Sequence, residues 1–220
     1  MPKGPGGVIF WGTAMEEPKV KRAVAFFDGQ NLYHHAKAAF GHHHPNYDPI
    51  ALATALCRAQ GWANFGVRFY TGIPTSDKDE FWHKYWSRRL LAMRRAGILV
   101  VSRPLRYHTV HAPLADGSER LINVPQEKGI DVRLALDVIR MTLANQLDVA
   151  LVFSQDQDLA ELAKEIREIS RSQNRWIKIA CAFPDGPNAT ARRGIDGADW
   201  IKVDEETYNA CLDKHDYRQS

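Results

Sequence analysis

The sequence predicts an α/β fold: a mostly parallel central sheet covered on both faces by helices, with a small β-hairpin inserted in its second half. Three observations carry this. From residue 22 onward, short apolar runs alternate with longer segments of helical periodicity. Two of the runs, AVAFFD and VALVFSQDQD, end on carboxylates with a helix directly after. A third carboxylate, Asp131 in KGIDVRLALD, opens a long helix of its own.

The elements follow in order. Arg22–Asp28 is a buried strand, apolar to its end and closed by Asp28-Gly29. Residues 31–40 form a helix, and GHHHPNY over 41–47 a loop. Asp48-Pro49 sets a capping carboxylate before a proline at the first helical position, opening a helix to about Gln60. Residues 64–73, aromatic and β-branched, are the second strand. Asp77 caps a long helix to Ala96, which Gly97 ends. Residues 98–102 are the third strand. Residues 105–110 and 120–124 then flank Ala115-Asp116-Gly117-Ser118, the pattern of a hairpin, so the insertion occupies about 104–125. Helix 129–145, strand 148–153, helix 158–171 and strand 177–183 restore the alternation. A proline- and glycine-rich loop over 184–197, a short sixth strand at 200–203 and a last helix over 205–213 complete the chain.

With 220 residues, 45% of them hydrophobic, the chain carries enough apolar material for one core. Residues 21–220 read as a single domain preceded by a poorly ordered arm over 1–20. A formal charge of +3 permits nucleic-acid binding without demanding it. Cys57, Cys181 and Cys211 are odd in number and far apart, the pattern of free thiols in a reducing, cytoplasmic compartment. No apolar stretch approaches a membrane span. Tyrosine and tryptophan near the C-terminus leave room for a homodimer.

In an open parallel sheet, strand C-termini and the following helix N-termini share one edge, where ligands bind. Asp28, Asp131, Asp156 and Asp158 are thereby delivered to one rim. Clustered carboxylates repel and call for cations between them. Hard oxygen donors of this kind suit Mg²⁺ or Mn²⁺. Each residue also has a structural reading. Asp28 fits a turn, and aspartate at 156 or 158 fits a helix cap, although one cap needs only one of them. Asn31 can cap its helix or orient Asp28, and Ser154 can cap or hydrogen-bond a carboxylate. On the helix from about 129, Ile130, Leu134, Val138 and Met141 share one arc, while Val132, Ala135, Ile139 and Leu143 extend a second. Asp131 projects between these arcs, with Lys128 one turn earlier on the same flank. Asp137 falls on the opposite arc, with Arg133 at i−4 and Arg140 at i+3, as in surface ion pairs.

FFDGQNL, KGIDVRLALD and LVFSQDQDLAEL, in that order and each after the right element, resemble the three motifs of NYN domains, a branch of the PIN-like nuclease superfamily. The resemblance covers roughly residues 22–203. It implies a Rossmann-like three-layer α/β/α sandwich and a metal-dependent ribonuclease that leaves 3′-hydroxyl and 5′-phosphate ends. Carried over by motif, Asp28, Asp131, Asp156 and Asp158 become the catalytic, metal-binding cluster. Asn31, Lys128 and Ser154 become supporting residues, and Asp137 matches a recurrent acidic position. Arg192 and Arg193, with Arg103 and Arg106, are the candidate contacts to RNA, and Tyr107 on the hairpin is placed to stack on bases. Helix 77–96 carries Lys84, Arg88, Arg89, Arg94 and Arg95, either a solvated face or a phosphate-tracking one. Where the family has Ser-Gly-Asp, this chain has Ser154-Gln155-Asp156. Glycine permits φ > 0 there, so Gln155 predicts a different loop and keeps alive an alternative: an RNA-binding or regulatory module with weak or lost catalysis.

Overall fold

A computed structural model describes residues 15–113 and 119–218. The expected hairpin turn at 115–118 and the first part of the expected arm lie outside the described residues. Residues 15–20 join no helix or strand, although the Ser170 hydroxyl lies 3.4 Å from the Met15 sulfur.

Six parallel strands make the main sheet among the described residues. They are β1 (Arg22–Asp28), β2 (Ala63–Ile73), β3 (Leu99–Pro104), β6 (Val149–Phe153), β7 (Lys178–Pro184) and β8 (Asp199–Val203), in the order β3-β2-β1-β6-β7-β8. The inserted hairpin, β4 (Arg106–Pro113) and β5 (Glu119–Gln126), forms a separate antiparallel ribbon. The helices are α1 (Gly29–Phe40), α2 (Pro49–Ala59), α3 (Glu80–Arg95), α4 (Ile130–Leu143), α5 (Ala160–Ser172) and α6 (Glu205–Ala210).

The central strand β1 explains the unbroken apolar run AVAFFD. Parallel strands covered on both faces have no solvent side, so alternation between apolar and polar disappears. Ala23, Ala25 and Phe27 enter one core, and Val24 and Phe26 the other. Phe27 stacks on Phe153 of β6 with ring centroids 3.9 Å apart. At the opposite end, Arg22 grips Asp148 through Nε and Nη2, at 2.9 and 2.8 Å. The chain runs outward from β1 to β2 and β3, then crosses back to β6 on the other side of β1. The sheet therefore has its topological switch point between β1 and β6, where ligands of such folds bind.

Three local expectations change. Helix α3 is capped by Asp79, whose carboxylate accepts the Trp82 N–H at 3.0 Å, because Lys78 and Asp79 are drawn into a turn on the Thr75 carbonyl. Arg89 of that helix is fully buried, stacked 5.1 Å from the Tyr47 ring centroid and donating to the Tyr85 hydroxyl, so it belongs to no surface track. Helix α4 buries the first expected arc, Ile130, Leu134, Val138 and Met141, but not the second: Val132 is 57% and Leu143 53% exposed, whereas Asp137, only about 20° round the helix from Ile130, is 2% exposed. Its ion pairs with Arg133 and Arg140 do form, but with the carboxylate end inside. Cys57, Cys181 and Cys211 are buried free thiols. Among the described residues no helix is long and apolar enough to cross a membrane.

Candidate active site

Asp28 ends β1 at the switch point and is 5% exposed. One carboxylate oxygen accepts the Asn31 N–H at 3.1 Å, capping α1. The other accepts the Ser154 hydroxyl at 3.2 Å. Burial pushes the Asp28 carboxyl up to about 6; the Asn31 and Ser154 bonds oppose the rise, and the charges of Asp156 and Asp131 add to it. Asn31 bridges the two strand ends, its side-chain oxygen accepting the Gln155 N–H at 2.9 Å. Asp156, half-buried, caps the short 3₁₀ turn Gln157–Leu159 by accepting the Asp158 N–H at 3.0 Å. Asp131 stands in the first turn of α4, behind Gly129.

A cleft of about 520 Å³ collects Asp28, Asn31, Lys128, Asp131 and Asp156, together with a residue the motifs did not signal, Glu127. Glu127 follows the hairpin, and its carboxylate accepts the Gly72 N–H at the end of β2. A side chain at position 72 would sit 2.7 Å from that carboxylate, so glycine is what lets Glu127 reach the backbone. Burial pushes Glu127 up to about 7, helped by the negative charges of Asp28 and Asp131. The only hint in the sequence is its place directly before Lys128.

Asp158, Asp137, Arg106, Arg192 and Arg193 do not line the cleft. Asp158 is exposed and does not line it, because the 3₁₀ turn carries its side chain outward. Asp137 is two turns further along α4, bonded to the Tyr70 hydroxyl at 3.0 Å and paired with arginines. Arg103 does border the site: its guanidinium lies 2.6 Å from where a Cβ on Gly129 would stand, and Gly129 has φ of +72°. Arg106 is exposed on β4. Arg192 and Arg193 are exposed but do not line the cleft; Arg193 is held by Asp196 at 2.9 Å.

Gln155 takes no left-handed backbone, and its side chain has contacts of its own. The non-glycine residues with positive φ among the described residues are Asn145 and Asn174, so position 155 needs no left-handed freedom. Instead the 7% exposed side chain latches the loop after β7, donating to the carbonyls of Ala191 at 3.2 Å and Arg193 at 2.8 Å. Gln155→Gly is expected to cost about 1–3 kcal/mol through these lost bonds and the added backbone freedom. Urea unfolding checks this, and an unchanged midpoint would show that the latch contributes nothing.

The donors are carboxylate and amide oxygens, with no thiol among them, a set that suits a hard divalent cation in kind. Buried carboxylates raised by burial and mutual repulsion are groups that a cation would relieve. Among the described residues no three such side chains converge closely enough to define an ion's coordination.

Residues 22–177 match the NYN domain family. The chain belongs to that family. NYN domains are part of the PIN-like superfamily, and their fold is nuclease-like. Among solved structures, the NYN domain here is similar to a protein of unknown function from Vibrio parahaemolyticus, at 19% identity and a TM-score of 0.52, covering 87% of this chain and 98% of that one. At that identity the likeness speaks for the α/β fold alone. Ribokinase from Giardia lamblia aligns at 9% identity and a TM-score of 0.38, covering 81% of this chain and 54% of that one. No curated protein matches the chain.

Proposed function

We propose that this NYN domain is a divalent-metal-dependent ribonuclease that hydrolyses phosphodiester bonds of single-stranded RNA. The observation that carries the reading is the convergence of Asp28, Glu127, Asp131, Asp156 and Lys128 on one cleft at the switch point of the sheet. Asp28, Asp131 and Asp156 would hold Mg²⁺ or Mn²⁺. When bound, the cation supplies Lewis-acid neutralisation of the scissile phosphate and activation of water. The chain's own groups do the rest. Lys128 neutralises charge that builds on the phosphate oxygens. Asn31 spends its side-chain oxygen on Gln155 and keeps its amide N–H groups for a phosphate. The Ser154 hydroxyl fixes the carboxylate plane of Asp28. Glu127, pushed up to about 7 with no cation present, holds a proton in the cleft that cation binding would displace.

The test is cleavage of a labelled mixed-sequence single-stranded RNA in EDTA, Mg²⁺ or Mn²⁺ by wild type and Asp28→Asn. Metal-dependent cleavage by wild type alone supports the reading. Equal cleavage by both places the activity elsewhere. Binding without cleavage favours an RNA-binding module. A second measurement needs no turnover: Mn²⁺ is expected to raise the melting temperature of wild type but not of Asp156→Ala. An equal rise in both would remove Asp156 from the ligand set.

A further inference from the structure

Beside the acidic cleft lies a second cavity, of about 360 Å³, and Gln30 lines both. Its walls come from three separate elements: Tyr33 of α1, Trp82 and Trp86 of α3, and Tyr107 of β4. Trp86 is buried, but Tyr33, Trp82 and Tyr107 are half-exposed. Tyr107 sits on the ribbon that pairs with no strand of the main sheet, opposite Pro125, so neither sheet pairing nor the cores demand an aromatic ring there. The volume falls within the range of about 300–1,000 Å³ usual for small-ligand pockets.

The charges around the cavity narrow the occupant. Lys78 stands at the rim with its ammonium 5.8 Å from the Tyr107 ring centroid. Asp77 lies 4.0 Å from that ammonium, and Asp79 lines the cavity while capping α3. Two carboxylates beside one lysine disfavour a bare phosphate inside, whereas the aromatic faces favour a flat, uncharged ring. Gln30 ties its amide nitrogen to the Gly72 carbonyl at 3.1 Å, and its oxygen accepts no bond among the described residues. That leaves an acceptor for a ring N–H or exocyclic amine. Asp28 of the cleft and Gly29 of the cavity are neighbours in the chain, about 3.8 Å apart at Cα. The two sites are therefore within reach of a single nucleotide.

We infer that this cavity is a nucleobase subsite. It takes one unpaired base of the strand whose phosphate lies in the acidic cleft, stacked against Tyr107 and Trp82. The inference rests on the ribonuclease reading for the neighbouring phosphate. Stacking of this kind is tolerant of base identity, so the subsite selects single-stranded over duplex RNA more than one sequence over another.

The experiment measures equilibrium binding of hexauridine and of an abasic hexamer of the same charge, in EDTA, to wild type, Tyr107→Ala and Tyr107→Phe. Hexauridine should bind Tyr107→Ala about tenfold or more weakly than wild type, and Tyr107→Phe within about twofold. The abasic hexamer should bind all three weakly and alike. Equal affinity of wild type and Tyr107→Ala for hexauridine overturns the subsite, as does an abasic hexamer that binds wild type as tightly as hexauridine. If Tyr107→Ala binds normally while Mn²⁺-dependent cleavage of longer RNA proceeds, only the subsite falls. If hexauridine binding drops as expected and no metal supports cleavage, the subsite stands and the ribonuclease reading falls. If wild type neither binds nor cleaves RNA, both fall.

Discussion

Asp28→Asn is expected to stop RNA cleavage, by at least about a hundredfold, and yet to melt higher than wild type above neutral pH. The two effects have one cause. Asp28 is buried at the switch point, and its carboxyl rises from 3.8 to about 6, a difference worth about 3 kcal/mol. A folded-state value above the unfolded one means that its favourable contribution is complete below pH 4 and is lost as pH rises through about 6. Asparagine has no charge to bury, still caps α1 through the Asn31 N–H, and still faces the Ser154 hydroxyl. The gain should be about 1–3 kcal/mol at pH 8, or roughly 2–8 °C in melting temperature, and should vanish near pH 4. Thermal melts at both pH values in EDTA check this. A variant that melts lower than wild type at pH 8 would mean that the carboxylate is held by favourable partners instead of being strained by burial.

Asp137→Ala should give the opposite pattern, a large loss of stability with cleavage retained per folded molecule. The carboxylate accepts from the Tyr70 hydroxyl at 3.0 Å, Arg133 at 3.1 Å and Arg140 at 3.1 Å, and Arg68 lies 3.9 Å away. Removing it leaves the fully buried Tyr70 hydroxyl without this partner and three guanidinium groups without their common counter-charge. Breaking such a buried pair costs about 3–5 kcal/mol, roughly 8–15 °C here. Asp137→Asn keeps an acceptor and should cost less. Cleavage by the folded fraction within about tenfold of wild type is expected, because Asp137 does not line the cleft. Normal melting with lost cleavage would instead return Asp137 to the active site.

These residues show what could be read from the chain alone. Asp28 and Asp156 were legible because a strand buried on both faces leaves a continuous apolar run, and the carboxylate that ends it stands out. The parallel sheet was legible for the same reason. Glu127 was hidden because its partner, Gly72, lies 55 positions away and it follows an outlying ribbon instead of a sheet strand. Asp137 was misplaced because its charge and its two arginine neighbours suggested a solvated face, although its angle sets it beside Ile130 and Met141, and its partner Tyr70 lies 67 positions earlier. Asp158 satisfied the motif, but a single turn of 3₁₀ geometry between it and Asp156 separates their side chains.

The position of β1 also governs when the site comes into being. Among the described residues it is the first strand of the sheet in chain order, yet it lies between β2 and β6, and Ser154, which steadies Asp28, follows 126 positions later. A chain still on the ribosome displays β1 with one flank open, lacking Ser154 and Asp156 altogether. Pairing across so long a separation is slow and comes late in folding. On the proposed ribonuclease reading, the growing chain would hold no complete cleft beside the messenger being translated, since Asp156 joins Asp28 only after most of the chain has been made.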